Sequence, residues 1–288
     1  MITMSKLSKA IWQFCRWKPI FAWSIAGVLL SVALAYHDTG QLPIFIILSC
    51  FAIPILMQIV SHVHNDLSDL ELDKADIENI IKTGRSKPIA TGLISEAGAM
   101  LYSQVLIITL CVIVAIVICK PIFIAIVVGC ISIVLYNDFL KNKPFTEITM
   151  ILPLIMVITI TPYVVITGTY TIELIALAFT HGMINALWFI SSREQDKFND
   201  ASFGKNTTSV WCDKHDFKTA TVQSMYMLAI VLVSGAMVQQ HIEFMFVFIT
   251  LLMFAATADR VPHEQRRIWI YLTVANAIII SLYLLTIP

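Results

Sequence analysis

Apolar runs recur along this chain at about 19–36, 42–62, 98–118, 121–137, 148–169, 172–191, 219–238, 242–258 and 268–286. Most are long enough to cross a hydrocarbon core of roughly 30 Å, the fourth and eighth being short. In lipid such a segment has no water to satisfy its backbone, so each run must pair its own N–H and C=O groups as a helix. A composition of 58% hydrophobic and 13% charged residues, with mean hydropathy +0.82, excludes an ordinary water-soluble domain. The expectation is an all-α integral membrane protein of nine transmembrane helices, forming one domain over 1–288. A cationic tail precedes the first run but no small-residue cleavage site follows it, so the run is expected to stay as the first helix.

Charge placement tests that count. With nine spans, every Lys and Arg except Lys120 falls on one side of the membrane. The N-terminal tail holds Lys6, Lys9, Arg16 and Lys18, and the connections hold groups such as Lys74, Lys82, Arg85 and Lys87 or Arg193, Lys197 and Lys205. Basic residues mark the cytoplasmic side, which puts the N-terminus inside and the C-terminus outside. Acids do little to orient a membrane protein, yet only Asp38, Glu173 and Glu243 lie on the opposite side. The cytoplasmic mouth is therefore where chemistry is expected. The formal net charge of zero, with no basic run interleaved with aromatics, gives no sign of nucleic acid binding. The six cysteines, Cys15, Cys50, Cys111, Cys119, Cys130 and Cys212, form no C-x-x-C pair and are expected as packing residues.

Two acidic clusters follow apolar runs on that side. The first is Asn65-Asp66-x-x-Asp69-x-x-x-Asp73. At about 100° per residue these side chains fall near 0°, 100°, 40° and 80°, one arc of one helix face. Such a face repels itself unless a cation joins it, and three acids with an amide suit a hard ion such as Mg²⁺. The second cluster is Arg193-x-x-Asp196-x-x-x-Asp200-x-x-x-Gly204-Lys205-x-Thr207, where Asp196 and Asp200 are i,i+4 neighbours. Two acidic faces at one membrane depth, each with nearby Arg or Lys, suggest a clamp for a diphosphate carried by Mg²⁺.

With Arg85-Ser-Lys-Pro88-Ile-Ala-Thr-Gly92 between them, the two clusters resemble the signature motifs of the UbiA superfamily of intramembrane prenyltransferases. The resemblance implies nine helices around a central cavity with a cytoplasmic cap, and transfer of a prenyl group from its diphosphate to an aromatic or lipid acceptor in the membrane. It further implies two Mg²⁺ ions, one held by Asn65, Asp69 and Asp73 with Asp66 in support, the other by Asp196 and Asp200. Arg85, Lys141, Lys205 and, more weakly, Arg193 become diphosphate ligands, and Tyr136 would face the allylic carbon. Trp188, Phe189 and Tyr163 are expected to shield a developing carbocation from water. Arg85 and Lys87 serve equally well as topology anchors, and Trp12, Trp17 and Trp23 as interfacial anchors. His181 is expected to make a core hydrogen bond with Asn185. Asp76, Glu194, Asp213 and Asp216 are expected to be solvated.

Two further functions fit the same residues. A UbiA-type terpene cyclase would use the same ionisation and no acceptor. A cation transporter would use the acids as its site, although transporters tend to hold such groups near the midplane. The expected location is a bacterial inner membrane with the site facing the cytoplasm. Reporter fusions test the topology: one before Met1 should report inside and one after Pro288 outside. Reporters on the same side would mean that a span has been miscounted.

Overall fold

The computed structural model describes residues 5–83, 86–117, 120–238 and 262–286. The described residues are helical throughout, joined by short turns. Among the described residues seven helices are long and apolar enough to cross a membrane, and Ile270–Thr286 adds a shorter apolar helix. The expected span at 242–258 lies outside the described residues.

Residues 6–18, expected as a charged tail, instead form a helix and a turn. In α1 (Lys6–Cys15) the Ser5 hydroxyl accepts from the Ser8 amide, capping the helix, while Ala10, Phe14 and Cys15 are buried and Leu7 and Trp12 exposed. This one-sided pattern is too short to stand out as an apolar run. His62 Nδ1 lies 2.9 Å from the Phe14 carbonyl and ties α1 to α3. Arg16, at φ 41°, breaks the helix and turns the chain into α2. Helix α2 runs from Trp17–Ile20 through a π-helical turn, Phe21–Ile25, into Ala26–Thr39.

Helix α3 (Ile44–Ser68) leaves ideal geometry at Asp69 (φ −99°, ψ 6°), and α4 (Leu70–Ala75) and α5 (Ile77–Thr83) follow. The first acidic cluster is thus divided between two helices. The helical hydrogen bonds nevertheless continue through the break, Asp69 N to Asn65 O at 3.0 Å and Asp73 N to Asp69 O at 2.8 Å. Helices α6 (Glu96–Val117), α7 (Lys120–Val134, extended by a π-helical turn at Leu135–Leu140) and α8 (a π-helical turn at Glu147–Ile151, then Leu152–Thr167) complete the next spans.

Helix α9 (Ile172–Ser202) occupies the centre. Its 31 residues are about 46 Å long at about 1.5 Å per residue, so its last turns project beyond a roughly 30 Å core and carry Arg193 to Asp200 with them. It packs against α2, α8, α10 (Thr208–Lys214), α11 (Thr219–Val238) and α12 (Pro262–Thr286). Close approach to α8 depends on Gly182, where an added Cβ would lie 2.6 Å from Leu152 Cδ1 and 3.1 Å from the Leu152 carbonyl. Leu101, Val105 and Ile108 on α6 face outward, as lipid contact allows.

Three aromatic expectations are changed or kept by this packing. Trp12 and Trp17 are partly exposed, as anchors should be, but Trp23 turns inward and meets Trp188 edge-on at 5.1 Å. Tyr163 is not near the charged end. Its hydroxyl donates to Asp38 Oδ2 at 2.6 Å, because α8 carries it toward the opposite end of the bundle. His181 makes core contacts as expected, with Nε2 3.3 Å from the Trp23 carbonyl and 3.4 Å from Asn185 Nδ2. Cys15, Cys50 and Cys212 are buried packing residues, Cys111 and Cys130 are exposed, and Cys119 lies outside the described residues.

Candidate functional site

The first acidic cluster is neutralised by the chain's own cations. Asp66, 1% exposed, is paired with Arg16 from the α1–α2 turn and lies 3.2 Å from Lys87 Nζ. The same Lys87 nitrogen is 2.7 Å from Asp73 Oδ2. Asp69 points elsewhere, its Oδ1 accepting from Lys141 Nζ at 2.8 Å; that ammonium also reaches Ser68 Oγ at 2.7 Å. On the helical wheel Asp66 and Asp73 lie within about 20° of each other while Asp69 is offset by about 40–60°, and the backbone leaves ideal helix geometry at Asp69 itself.

Lys87 is held by the turn that follows it. Its carbonyl accepts the Thr91 amide at 3.0 Å and the Thr91 hydroxyl at 2.9 Å, while Leu93 N reaches the Pro88 carbonyl at 2.9 Å. Arg16 also donates to the Ser86 carbonyl at 3.2 Å, so the N-terminal turn and the 86–92 turn meet over Asp66.

The second cluster closes on the first. Gly204 ends α9 in the left-handed region at φ 70°, which disfavours residues with a Cβ, and Lys205 N reaches back to the Asp200 carbonyl at 2.9 Å. The ammonium of Lys205 then sits 3.5 Å from Asp200 Oδ1 and 3.8 Å from Asp69 Oδ1. Two acidic clusters from distant parts of the sequence therefore share one lysine. Arg193 lies beside it, donating to the Tyr136 hydroxyl at 2.8 Å and the Lys141 carbonyl at 3.2 Å, with Asp200 Oδ2 at 3.6 Å. Its guanidinium stacks 5.0 Å above the Phe189 ring. Asp196 and Asn65 are half-buried on the same helix ends, and Arg85 lies outside the described residues.

Local electrostatics differ among these groups. Burial pushes the Asp69 carboxyl up, but Lys141, Lys205 and Lys87 outweigh it and hold the group below its ordinary value. Burial holds Asp73 above its ordinary value against Lys87, with Asp66 and Asp69 acting in the same direction as burial. Burial also lowers Lys141 despite Asp69 beside it. Among the described residues no three His, Cys, Asp or Glu side chains converge as a ready metal site, because lysines stand between the carboxylates. The donor set still fits a hard cation: it is built of oxygens, and Asp66 Oδ2 is buried with no hydrogen-bond donor.

A separate set of contacts fixes the lysine-bearing loops. Asn206 N donates to the Asn142 carbonyl at 3.2 Å and Phe145 N to Thr208 Oγ1 at 2.7 Å. The Thr208 hydroxyl lies 2.7 and 2.9 Å from the two carboxyl oxygens of Glu147, which also accepts from the Tyr226 hydroxyl at 3.3 Å. Glu147 is 1% exposed and ties the segment after Lys141 to the segment after Lys205.

Below the charges lies an aromatic layer. Phe189 meets Tyr136 edge-on at 6.0 Å, and Trp188 and Trp23 continue the layer. Trp23 also lines an apolar cavity between α2, α3, α7 and α8, with about 730 Å³ of empty space, part of it open.

Arg16 and Glu147 are not expected at the site from the sequence, and Lys87 is expected there only as a topology anchor beside Arg85. One signal was present: Arg16-Trp17-Lys18-Pro19 repeats the Arg-x-Lys-Pro pattern of Arg85-Ser86-Lys87-Pro88. Glu147 had none, because its partners come from distant helices.

Comparison with known proteins places this geometry among related folds. The model of the UbiA prenyltransferase family matches residues 24–284. A UbiA homolog from Archaeoglobus fulgidus, solved with GPP and Mg²⁺, is similar at TM-score 0.72 and 14% identity over 96% of this chain and 100% of that one. A structure of digeranylgeranylglyceryl phosphate synthase is similar at TM-score 0.67 and 17% identity, over 97% and 100%. A UbiA homolog from Aeropyrum pernix K1 gives 0.69 and 11%, over 90% and 95%. At these identities the likeness to solved structures is one of fold. No curated protein sequence matches the chain.

The Glu147 contacts can be tested by substitution. Thr208→Val leaves a buried carboxylate short of a donor and Phe145 N without its acceptor, a loss of about 1–3 kcal/mol. Thermal unfolding of the purified protein should shift down by several degrees, whereas Thr208→Ser should stay near the parent. Equal behaviour of both variants would show that the hydroxyl is dispensable.

Proposed function

Because this chain belongs to the UbiA prenyltransferase family, we propose that its charged end binds a prenyl diphosphate and ionises it for transfer to an aromatic or lipid acceptor within the membrane. The observation that carries this reading is Lys205, which brings Asp69 and Asp200 to one point and so makes a single site of both acidic clusters. The site faces the cytoplasm, in a bacterial inner membrane.

Asn65, Asp69 and Asp73, supported by Asp66, would hold one Mg²⁺, and Asp196 with Asp200 a second. When bound, these ions neutralise the diphosphate as negative charge develops on it. The chain's cations do the rest. Arg16, Lys87, Lys141, Arg193 and Lys205 exchange carboxylate oxygens for phosphate oxygens, and Arg85 is kept as a further ligand from its sequence motif. The C1–O bond breaks with its electron pair leaving on the diphosphate; an electron pair of the acceptor forms the new bond to C1, and the acceptor loses a proton. Tyr136, oriented by Arg193, and the rings of Phe189 and Trp188 stabilise the allylic cation and exclude water from it. A transporter site is disfavoured, because the paired acids gather at one end of the bundle rather than at its middle.

Purified protein incubated with Mg²⁺ and prenyl diphosphates of several lengths, with and without candidate acceptors, tests the reaction by mass analysis of extracts. Prenylated acceptor is the expected product; cyclic hydrocarbons or alcohols formed without acceptor would replace transfer by cyclisation. Asp69→Asn should lower turnover at least about a hundredfold, and Glu71→Gln, at an exposed position, should not. Equal losses in both would argue against a specific metal face.

A further inference from the structure

The apolar cavity beneath the charges has a recess in its wall at mid-depth. On α3 the wall is the stripe Cys50, Ile53, Met57 and Ser61, and on α7 the stripe Ile122, Ala125, Gly129 and Ile133, each at the spacing of one helix face. Ser61 is one turn from Asn65 and Ile133 one turn from Tyr136, so both stripes climb toward the charged end. At about 1.5 Å per residue, Met57 lies about 12 Å below Asn65 and Gly129 about 10 Å below Tyr136. The two helices thus bring the pair to one level. A Cβ built on Gly129 would lie 1.9 Å from Met57 Cε and 3.1 Å from Met57 Sδ, so the end of the methionine fills the place that a side chain at 129 would take. A glycine needed only for close helix packing would meet backbone, as Gly182 meets the Leu152 carbonyl; Gly129 meets nothing but this side-chain end. Below the pair the cavity continues for two more turns, to Cys50 and Ile122.

We infer that Gly129 and Met57 set the length of prenyl tail this protein accepts: the glycine gives the methionine a recess outside the lumen and so keeps the cavity continuous past mid-depth. The inference rests on the proposed reading of the charged end as a prenyl diphosphate site, from which an apolar tail runs into apolar space. Each isoprene unit adds four chain carbons, roughly 5 Å when extended with C–C bonds of about 1.5 Å. A two-unit tail therefore ends at the pair. A four-unit tail must pass it, and reaches the level of Cys50 and Ile122, roughly 20 Å below the charged end. Methionine is unbranched and turns about three bonds, so its end can leave the recess without moving backbone. At position 129 even a methyl group occupies the recess, and the end of Met57 then turns into the open space beside it, which is the cavity.

The test uses the full chain in detergent with Mg²⁺ and two non-hydrolysable probes, the geranyl (two-unit) and geranylgeranyl (four-unit) thiodiphosphates, with binding read by calorimetry. Gly129→Ala should weaken four-unit binding about tenfold and leave two-unit binding within about twofold, because only the longer tail meets the displaced methionine. Adding Met57→Ala to Gly129→Ala should restore four-unit affinity, a rescue that general damage to packing would not give. Equal weakening for both lengths, no change for either, or no restoration in the double variant would overturn the assignment. If Gly129→Ala fails to fold, Met57→Phe decides by the same comparison, since its ring is too wide for a recess that a methyl group fills. Failure of both probes to bind the unmodified protein would sink the diphosphate reading and this inference with it. If both bind and the variants do not discriminate between lengths, this inference alone falls.

Discussion

The ion pairs around Lys205 are the constraint to which the rest of the molecule conforms. Asp66, Asp73 and Asp200 are each at most 7% exposed, and a carboxylate so placed is stable only with a cation beside it. Apart from Arg193 and Asp200, both on α9, the partners come from different elements. Arg16 comes from the turn before α2, Lys87 from the loop before α6, Lys141 from the end of α7 and Lys205 from the loop after α9. Each cation must arrive at a fixed height, so the helix ends are shaped by caps and turns: the left-handed Arg16, the turn closed by Thr91, the left-handed Gly204 and the buried Glu147 contacts. The same arrangement leaves a site rich in both charges at one end of the bundle.

Beneath this layer the physics changes from charge to burial. Helix α9 is apolar through its middle and charged at its end, so one element carries both the aromatic layer at Trp188 and Phe189 and the acidic pair at Asp196 and Asp200. Close contact with α8 at Gly182 fixes its depth. A shift of α9 would move Arg193 relative to Tyr136 and Lys205 relative to Asp69 together, which couples packing inside the membrane to geometry at its surface.

The membrane helices were legible in the sequence because lipid permits few alternatives for a long apolar run. The two acidic clusters were legible for a related reason, since acids gathered directly after such runs need a partner. What the pattern could not show was which partner. Lys87 looks the same in sequence whether it anchors topology or pairs Asp66 with Asp73, and Arg16 was hidden in a segment whose short amphipathic helix has no apolar run. Trp23 and Tyr163 failed in opposite ways, because a helix position gives depth only once the helix ends are known: Trp23 turns inward, and Tyr163 sits at the end with Asp38. Glu147 depends on Thr208 and Tyr226, contacts between elements far apart in the chain.

Calorimetry of Mg²⁺ binding with and without a non-hydrolysable prenyl thiodiphosphate measures whether the two acidic clusters act as one site. If they form one diphosphate clamp, each ligand should raise the affinity of the other by the same factor, at least about tenfold, and Asp200→Ala should remove most of that coupling while the fold persists. Independent binding of Mg²⁺ and thiodiphosphate in the unmodified protein would contradict the clamp, and with it the reading of Lys205 as the residue that joins the clusters.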